Sequence, residues 1–390
     1  MLTLIKNADV YTPTPLGEKD VLIGGGKIIT ISADIDASAM AEYIDVVDAK
    51  GNYLVPGLID GHVHITGGGG EGSFKTRTPE LPLSDCIQAG ITSVVGVIGT
   101  DGTTRTMANL VAKAKGLEEE GITCYCQSGN YHLPIKTLTG SLQNDIMLVH
   151  EIIGAGEIAI ADHRSSQPTA GELARLASEA RIGGILSGKG GIVNIHVGDG
   201  ADQLQLIEEV VKTTNIPITQ FLPTHINRHE ELLTTGIKYA KKGGYVDFTT
   251  SCLDDEINDD NLKSSKGLKR MLDEGVPIEQ ITFTSDGQGS LPRFDKNSKF
   301  IGLGIGKVVS LFNELRDAIT EEKLPIEKVW KVATENPARI LKLDNKGTIK
   351  EGNDADILLI TKDSFSIDSV MAKGQWMMSK KEILVKGTFE

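Results

Sequence analysis

The stretch LVPGLIDGHVH, from Leu54 to His64, runs from an apolar segment into two histidines that are separated by one residue. In a β-strand, side chains at positions i and i+2 point to the same face. His62 and His64 can therefore bind one metal ion from the end of a single strand, and neutral imidazole is the commonest nitrogen ligand of zinc. A lone His-x-His pair is more often two polar residues at a strand exit, so the metal prediction depends on the rest of the chain.

Short apolar runs alternate with amphipathic segments between Tyr53 and about Leu343. This alternation is typical of repeated βα units that form a parallel sheet. Eight strands alternating with helices over roughly 250–300 residues match a (β/α)8 barrel of the TIM type in count and size. A doubly wound open sheet is the alternative, but no Gly-x-Gly-x-x-Gly motif directly follows the first barrel strand, since the glycine run that fits this pattern, Gly67 to Gly72, is separated from Ile59 by residues 60–66. The predicted barrel strands are Tyr53–Ile59, Thr92–Val97, Ile122–Gln127, Ile158–Ala161, Ile192–His196, Ile218–Leu222, Tyr245–Thr249 and Ile281–Thr284.

Both ends of the chain carry further short strand-like segments, several of them separated by turn signals such as Gly24-Gly25-Gly26. We expect these segments to pair with one another, which brings the two chain ends close together. The predicted fold class is therefore α/β, with a (β/α)8 TIM-type barrel inserted into a small β-sandwich domain that both chain ends form. The predicted boundaries are 1–52 and 345–390 for the small β domain and 53–344 for the barrel domain.

Composition and charge narrow the classes of partner. The chain of 390 residues has a formal net charge of −13, which disfavours nucleic acids and anionic membranes because these partners need clustered Lys and Arg. Four cysteines in a chain of this length do not provide a disulfide framework, and we expect reduced thiols at Cys86, Cys124, Cys126 and Cys252. Since no segment resembles a signal peptide or a bilayer-spanning helix, we expect a soluble cytoplasmic protein. The negative net charge still allows a small anionic substrate, which a local pair of arginines could bind.

Polar residues recur where the predicted barrel strands end. Barrel enzymes carry their reactive groups at the carboxyl ends of the strands and in the loops that follow. The candidates at these positions are His62, His64, Tyr131, Glu157, Asp162, His163, Arg164, His196, His225 and Asp286, with Glu157 placed near the start of its strand. Nitrogen and oxygen donors suit zinc or another divalent transition metal. Taken together, His62, His64, His196, His225 and Asp286 favour a metal site over isolated polar residues, whereas His163 is not expected to be a ligand.

Three motifs resemble landmarks of the amidohydrolase superfamily: PGLIDGHVH at 56–64, TENPA at 334–338 and GNDAD at 352–356. Within this superfamily the chain is similar to the isoaspartyl dipeptidases (β-aspartyl peptidases), and the similarity covers essentially its full length. The supporting segments are GGGGE at 67–71, RTPE at 77–80, GTD at 99–101, YH at 131–132, DHRS at 162–165, PTHINR at 223–228, SDGQGS at 285–290 and VKGTFE at 385–390.

The resemblance implies a site with two zinc ions or other divalent transition metals, bridged by a hydroxide that acts as the nucleophile. His62, His64 and Asp286 would bind one ion, and His196 with His225 would bind the other. Asp286 would also take the proton of the hydroxide and pass it to the leaving amine.

The same resemblance implies a set of substrate contacts. Tyr131 would donate a hydrogen bond to the scissile carbonyl oxygen as it gains charge. The free α-amino group of the isoaspartyl residue would be bound by Glu71 and Ser290, and the two substrate carboxylates by Arg164 and Arg228. Further contacts would come from the glycine run at 67–70, including Gly69, and from Thr100. An ion pair between Arg164 and Asp162 at the barrel rim remains an alternative role for this arginine.

One position departs from the family pattern. The family carries a lysine, modified by CO2, as the carboxylate that bridges the two metals near the start of strand 4. Counting back from the DHRS segment places Glu157 at this position, and no lysine lies between Lys136 and Lys189. We predict that Glu157 bridges the metals in place of the carboxylated lysine. The alternatives are a site that binds the second metal poorly, or a loop residue and no bridge.

The predicted function is metal-dependent hydrolysis of isoaspartyl dipeptides. The nearest alternative is a cyclic-amide hydrolase of the dihydroorotase or hydantoinase kind, and a non-catalytic scaffold with the same fold is a further one. Glu71, Arg164 and Arg228 favour a dipeptide that carries two carboxylates and a free amine. Because only the bridging position departs from the ligand pattern, a scaffold that has lost its metals is disfavoured. The resemblance also implies a homo-oligomer.

Overall fold

The computed structural model describes residues 2–40, 42–251, 262–294 and 300–390, which form 19 strands and ten α-helices. The strands are β1 (Leu2–Tyr11), β2 (Pro15–Gly24), β3 (Lys27–Ser32), β4 (Ile44–Asp48), β5 (Tyr53–Pro56), β6 (Leu58–Val63), β7 (Ile91–Gly96), β8 (Thr123–Ser128), β9 (Ile152–Ile160), β10 (Ile192–Val197), β11 (Phe221–Thr224), β12 (Val246–Thr249), β13 (Ile281–Thr284), β14 (Ser290–Phe294), β15 (Phe300–Ile305), β16 (Ile357–Ile360), β17 (Ile367–Ala372), β18 (Gln375–Ser379) and β19 (Glu382–Ile383). The helices are α1 (Leu83–Gln88), α2 (Met107–Glu119), α3 (Leu142–Leu148), α4 (Ala170–Ser187), α5 (Gln205–Thr213), α6 (Glu230–Lys241), α7 (Ser264–Asp273), α8 (Val309–Thr320), α9 (Ile326–Val329) and α10 (Glu335–Leu341).

Strands β6 to β13 form the barrel and alternate with helices along the chain. β6 to β11 pair in parallel in chain order, and β12 pairs in parallel with β13. Backbone hydrogen bonds join these two groups at both seams. The amide of Ile226 donates to the carbonyl of Asp247 over 3.2 Å, and the amide of Asp286 donates to the carbonyl of His62 over 3.2 Å. The predicted α/β fold class with a parallel barrel is confirmed.

Both chain ends contribute to a separate sheet of nine strands in the order β19-β18-β17-β16-β5-β1-β2-β3, with β4 paired to β1. The sheet branches at β1, whose first residues pair with β4 and whose later residues pair with β5. A separate apolar core lies within this sheet and includes Ile5, Val21, Leu54 and Ile357. The chain ends therefore share one core, as the sequence predicted.

The junction between this sheet and the barrel lies at Gly57. We predicted one barrel strand over Tyr53–Ile59, but the structure ends β5 at Pro56, where it pairs with β16, and starts β6 at Leu58. A Cβ at Gly57 would come within 2.4 Å of Thr92 Oγ1, so close packing against the next barrel strand requires glycine here. The predicted domain border at 52/53 thus precedes a strand that pairs with the chain-end sheet.

The strand that carries Glu157 is longer than predicted. We expected a strand at Ile158–Ala161, but β9 begins six residues earlier and places Glu157 within the strand. The small residues of Gly154-Ala155-Gly156 hide this strand in the sequence, because glycine and alanine have low β-propensity. A Cβ at Gly154 would lie 2.4 Å from the carbonyl oxygen of Ile192, so close contact with β10 accounts for the glycine.

A buried carboxylate on β12 joins this strand to its neighbours β11 and β13, the two strands that precede the predicted metal ligands His225 and Asp286. Asp247 of β12 accepts hydrogen bonds from the hydroxyls of Thr224 (2.5 Å), Thr282 (2.6 Å) and Thr284 (2.6 Å). Burial raises the pKa of Asp247 to about 6, although the three hydroxyl contacts lower it. These contacts fix the end of β11, directly before His225, and the end of β13, two residues before Asp286.

Trp330 lies between the barrel and the chain-end sheet and is fully buried. Its ring centroid lies 6.4 Å from that of Phe312 in α8 and 6.3 Å from that of Phe365, which follows β16. The indole Nε1 donates to the carbonyl oxygen of Pro56 over 2.9 Å. Trp330→Ala should therefore lower the free energy of unfolding by about 3–5 kcal/mol, the usual cost of such a cavity.

Chemical denaturation followed by circular dichroism measures this loss. Trp330→Phe, which retains an aromatic ring, should cost less than the alanine substitution. A loss below about 1 kcal/mol for Trp330→Ala would contradict the packing role.

Three of the four cysteines, Cys86, Cys124 and Cys126, are buried free thiols, and burial raises the pKa of each. They agree with the expectation of reduced structural thiols, while Cys252 lies outside the described residues. Within the described part of the chain, no helix is long and apolar enough to cross a membrane.

Candidate metal centre and substrate site

The six predicted metal ligands meet at one mouth of the barrel. They belong to β6 and the residue after it (His62, His64), β9 (Glu157), β10 (His196), and the residues that directly follow β11 (His225) or closely follow β13 (Asp286). All are buried except Asp286, whose side chain is 15% exposed. Five of the six lie near or just after the carboxyl end of a strand, whereas Glu157 lies within β9, and the barrel brings all six together.

The carboxylate of Glu157 lies at the centre of the four histidines. Its Oε2 is 3.3 Å from His62 Nε2, 3.4 Å from His196 Nδ1 and 4.0 Å from His225 Nε2. Its Oε1 is 3.5 Å from His64 Nε2. One carboxylate therefore faces ligands of both predicted ions, which is the placement that a bridging group requires.

Two groups of residues have their donor atoms close enough to bind a metal ion. His62, His64 and Asp286 form one group, and His62, Glu157 and His225 form the other, with donor atoms within 4.8 Å of one another in each. His64 Nε2 lies 3.1 Å from Asp286 Oδ1 within the first group. Imidazole and carboxylate donors of this kind suit zinc and other divalent transition metals.

Several buried polar atoms at this centre lack a hydrogen-bond partner among the described residues. They are both side-chain oxygens of Glu157, His62 Nε2 and Asp286 Oδ1. Leaving such groups unpaired in the protein interior costs free energy, and bound cations would satisfy them. The residues present therefore fit a metal centre.

Neighbouring side chains orient the histidine rings. His62 Nδ1 lies 3.0 Å from Asn194 Oδ1, which leaves Nε2 directed at Glu157. His196 has the opposite orientation, since its Nε2 lies 2.9 Å from Asp162 Oδ2 and its Nδ1 faces the centre. Partners of this kind fix the tautomer of a metal-binding histidine. We did not identify Asn194 from the sequence, although it lies two residues before His196 and thus on the same face of β10.

The charges at the centre shift the pKa values of its members. Burial raises the pKa of Glu157, but the surrounding histidines lower it well below its usual value. Burial lowers the pKa of His62, but Glu157 and Asp286 raise it to about 10. Burial, together with the charges of His196 and Arg228, lowers the pKa of His225. Glu157 is therefore held as a carboxylate, the form that binds cations.

Two of the predicted ligands lie on strained backbone. His225 has a φ angle of 66° and Asp286 has a φ angle of 55°, both in the left-handed backbone region that residues other than glycine rarely adopt. Such strain is usually retained where function requires one particular side-chain direction. Gly289 allows Asp286 to point inward, because a Cβ at this glycine would lie 2.7 Å from Asp286 Oδ1.

A cavity of about 340 Å³ opens onto the metal centre. Its lining includes all the predicted substrate-binding residues: Gly69, Glu71, Thr100, Tyr131, Arg164, Arg228 and Ser290. It also includes Asp101, Arg105, Asp199 and Leu291, which we did not predict. The structure thus brings the predicted substrate residues and metal ligands into one space.

Glu71 is held at one side of this cavity by two hydroxyls. Thr100 Oγ1 donates to Glu71 Oε1 over 2.6 Å, and Ser290 Oγ donates to Oε2 over 3.2 Å. Burial raises the pKa of Glu71, but these hydrogen bonds and the charge of Arg164 lower it below its ordinary value. A carboxylate in this state can bind an ammonium group.

The two arginines differ in their contacts. Arg164 forms a two-pronged ion pair with Asp162, with Nε 3.0 Å from Oδ1 and Nη2 2.7 Å from Oδ2. This is the rim ion pair that the sequence left open, and only Nη1 extends to Glu71, at 3.4 Å. Arg228 donates from Nε to the carbonyl of Val197 over 3.2 Å. Its Nε also lies 3.5 Å from Asp199 Oδ1, while its two Nη groups form no hydrogen bond with the residues that the structure describes.

Tyr131 lies over the His196 side of the centre. Its hydroxyl is 2.9 Å from His196 Nδ1, and burial followed by the negative charge of Glu157 raises its pKa well above the usual value. The phenol therefore keeps its proton and can act as a hydrogen-bond donor. His163, which we did not expect to be a ligand, is 90% exposed at its side chain.

The sequence profile of the amidohydrolase family matches residues 53–377. The chain belongs to the amidohydrolase family. The solved structure of a β-aspartyl dipeptidase from Fervidobacterium islandicum AW-1, in complex with β-Asp-Leu dipeptide, is similar to this amidohydrolase with a TM-score of 0.90. The two are 45% identical over 98% of each chain. The resemblance to the isoaspartyl dipeptidases is thereby confirmed.

More distant relatives carry other names. A dihydroorotase from Lactobacillus gasseri is 25% identical over 92% of this amidohydrolase and 89% of its own length. A 5-methylthioadenosine/S-adenosylhomocysteine deaminase from Carboxydothermus hydrogenoformans is 24% identical over 97% and 93%. The comparisons thus make the chain a hydrolase of the amidohydrolase superfamily.

Proposed function

We propose that this amidohydrolase hydrolyses isoaspartyl dipeptides such as β-Asp-Leu. The observation that carries the proposal is one cavity in which Glu71, Arg164 and Arg228 surround the approach to the metal centre. These three charges match a substrate with one free ammonium group and two carboxylates. The similar β-aspartyl dipeptidase of known structure, which was solved with β-Asp-Leu, supports the same substrate class.

We further propose that two zinc or similar divalent ions bind at this centre. His62, His64 and Asp286 would hold one ion, His196 and His225 the other, and Glu157 would bridge them. When bound, such ions lower the pKa of the attacking water and polarise the scissile carbonyl. The unpartnered oxygens of Glu157 support this assignment.

Asp286 would act as the proton carrier. Its Oδ1 has no hydrogen-bond partner within the described chain and lies beside His64 at the floor of the cavity. The carboxylate would take the proton of the attacking water and give it to the amine that leaves. Tyr131, which keeps its proton, would donate a hydrogen bond to the carbonyl oxygen as negative charge develops there.

The substrate charges would be recognised at the other side of the cavity. Glu71 would bind the α-ammonium group together with Ser290, while Thr100 holds the carboxylate in place. The Nη groups of Arg228 are available for one substrate carboxylate, and Arg164 offers the end of its guanidinium to the other. Backbone groups of the glycine run that includes Gly69 complete the lining.

A cyclic-amide hydrolase is the second candidate, since a dihydroorotase is among the full-length relatives. Dihydroorotate has one carboxylate and no ammonium group, so it offers no charge that would pair with Glu71. The dipeptide supplies an ammonium group for Glu71 and a second carboxylate for the arginines, and it is therefore the better fit. A homo-oligomeric, cytoplasmic enzyme remains our proposal from the family resemblance.

Arg228→Lys should weaken the transition state for β-Asp-Leu hydrolysis by about 1–3 kcal/mol, because lysine keeps the charge but loses the two-pronged contact. The measurement compares kcat/KM of the variant and the wild type for β-Asp-Leu and for its C-terminal amide. The amide should be a poor substrate for the wild type. Equal kcat/KM values for the free acid and the amide would contradict the carboxylate contact.

A further inference from the structure

One carboxylate oxygen contacts both the metal side and the substrate side of the site. Asp162 Oδ2 lies 2.9 Å from Nε2 of His196 and 2.7 Å from Nη2 of Arg164. The side chain of Asp162 is 5% exposed, so its orientation is fixed by these contacts rather than by water. Its Oδ1 completes the arrangement with Arg164 Nε at 3.0 Å.

The contact with His196 determines which ring nitrogen faces the centre. An ionised carboxylate can accept hydrogen bonds but cannot donate them, so the Nε2 atom of His196 that faces Asp162 must carry the proton. The Nδ1 atom then has its lone pair directed towards Glu157, 3.4 Å away. Rotation of Asp162 would release this ring.

The contact with Arg164 determines which edge of the guanidinium faces the cavity. The Nε and Nη2 edge is bound to Asp162, so the end that bears Nη1 extends into the cavity, where it lies 3.4 Å from Glu71 Oε1. A guanidinium has five donors in a rigid plane, so fixing one edge also fixes the other.

We propose that Asp162 is a positioning residue that couples metal binding at His196 to substrate binding at Arg164. The effect on substrate binding rests on the proposed function, whereas the effect on metal binding rests on the contact between Asp162 and His196. It predicts that one change at Asp162 weakens both kinds of binding, whereas changes at neighbouring partners weaken only one.

The test uses three matched variants of the full chain. Asp162→Asn keeps the shape of the side chain but removes its negative charge. The amide NH2 group that replaces one oxygen would face a hydrogen-bond donor, either of His196 or of Arg164. Asn194→Ala removes the partner of His62 alone, and Asp199→Asn removes the charge that lies 3.5 Å from Arg228 Nε. Zinc affinity is measured by chelator competition without substrate, and kcat and KM for β-Asp-Leu are measured at saturating zinc.

Asp162→Asn should lower zinc affinity about 10- to 100-fold, the range for loss of a ligand-orienting partner. At saturating zinc it should still raise KM about 10-fold with a smaller change in kcat, because the Arg164 edge is no longer held. Asn194→Ala should lower zinc affinity but keep the wild-type KM at saturating zinc. Asp199→Asn should keep the wild-type zinc affinity.

Each departure from this pattern overturns the inference. If Asp162→Asn binds zinc as tightly as the wild type, Asp162 does not orient His196 for metal binding. If saturating zinc returns the KM of this variant to the wild-type value, Asp162 does not act on substrate binding through Arg164. If Asp162→Asn fails to fold by circular dichroism, Asp162→Glu replaces it, and the longer side chain should displace both contacts and change both readouts. A wild-type protein that binds zinc but does not cleave β-Asp-Leu would overturn the proposed function. The zinc affinities of the variants would still test whether Asp162 positions His196.

Discussion

His62→Ala, His196→Ala and Asp286→Ala should each reduce kcat/KM for β-Asp-Leu by more than about 10⁴-fold. Each change removes a donor from the proposed metal centre, and the Asp286 change also removes a proton carrier that alone contributes about 10²–10⁴-fold. The fold should remain largely intact, because residues at the carboxyl ends of barrel strands serve function more than stability. Activity, zinc content and circular dichroism of each variant measure these outcomes.

His150→Ala is the matched control, since His150 is exposed and does not line the cavity. It should keep both zinc content and activity. Chelation of the wild type should abolish hydrolysis, and added zinc or another divalent transition ion should restore it. Full activity in a metal-free preparation would contradict the metal-dependent mechanism.

Glu157→Gln should lose one of the two ions and lower kcat/KM by at least about 100-fold, the upper end of what loss of an outer partner costs at a metal site. The substitution keeps the shape of the side chain but removes the charge that faces all four histidines. Those histidines lower the pKa of Glu157, so the native carboxylate is ionised without further chemistry. Metal content per chain and kcat/KM measure the effect.

A glutamate bridge also removes the requirement for CO2. A lysine carbamate forms only from a neutral amine and dissolved CO2, whereas Glu157 already carries its carboxylate. Apoprotein that is reconstituted with zinc in CO2-depleted buffer should regain activity without bicarbonate. A wild-type requirement for bicarbonate, or an unchanged metal count in Glu157→Gln, would show that the bridge lies elsewhere.

The periodicity of the sequence was sufficient to predict the barrel and the mouth at which its polar residues meet. Strand alternation identified eight barrel strands, and the position of His62 and His64 after an apolar run identified the end of the barrel at which the polar residues meet. The error at Gly57 arose because β5 and β6 form one continuous apolar run whose two halves pair with different sheets. Only tertiary pairing separates them.

Contacts between side chains of different strands could not be predicted from the sequence. The central placement of Glu157 depends on β9 starting at Ile152, which a run of small residues conceals. Asn194 and the shared role of Asp162 depend on which ring nitrogen each histidine turns inward. The motif resemblance named the residues around the substrate, but the structure was needed to show that Asp162 occupies one edge of Arg164.

The central claim is a metal-dependent preference for the isoaspartyl linkage. The most direct measurement determines kcat/KM for β-Asp-Leu, α-Asp-Leu and dihydroorotate on one preparation, with its metal content measured in parallel by mass spectrometry. We predict about two divalent ions per chain and a preference for β-Asp-Leu of at least about 100-fold. Dihydroorotate has no ammonium group for Glu71, and α-Asp-Leu carries the same charges as β-Asp-Leu but at different distances from its scissile bond. Equal or faster turnover of dihydroorotate, or hydrolysis of β-Asp-Leu without bound metal, would contradict the account.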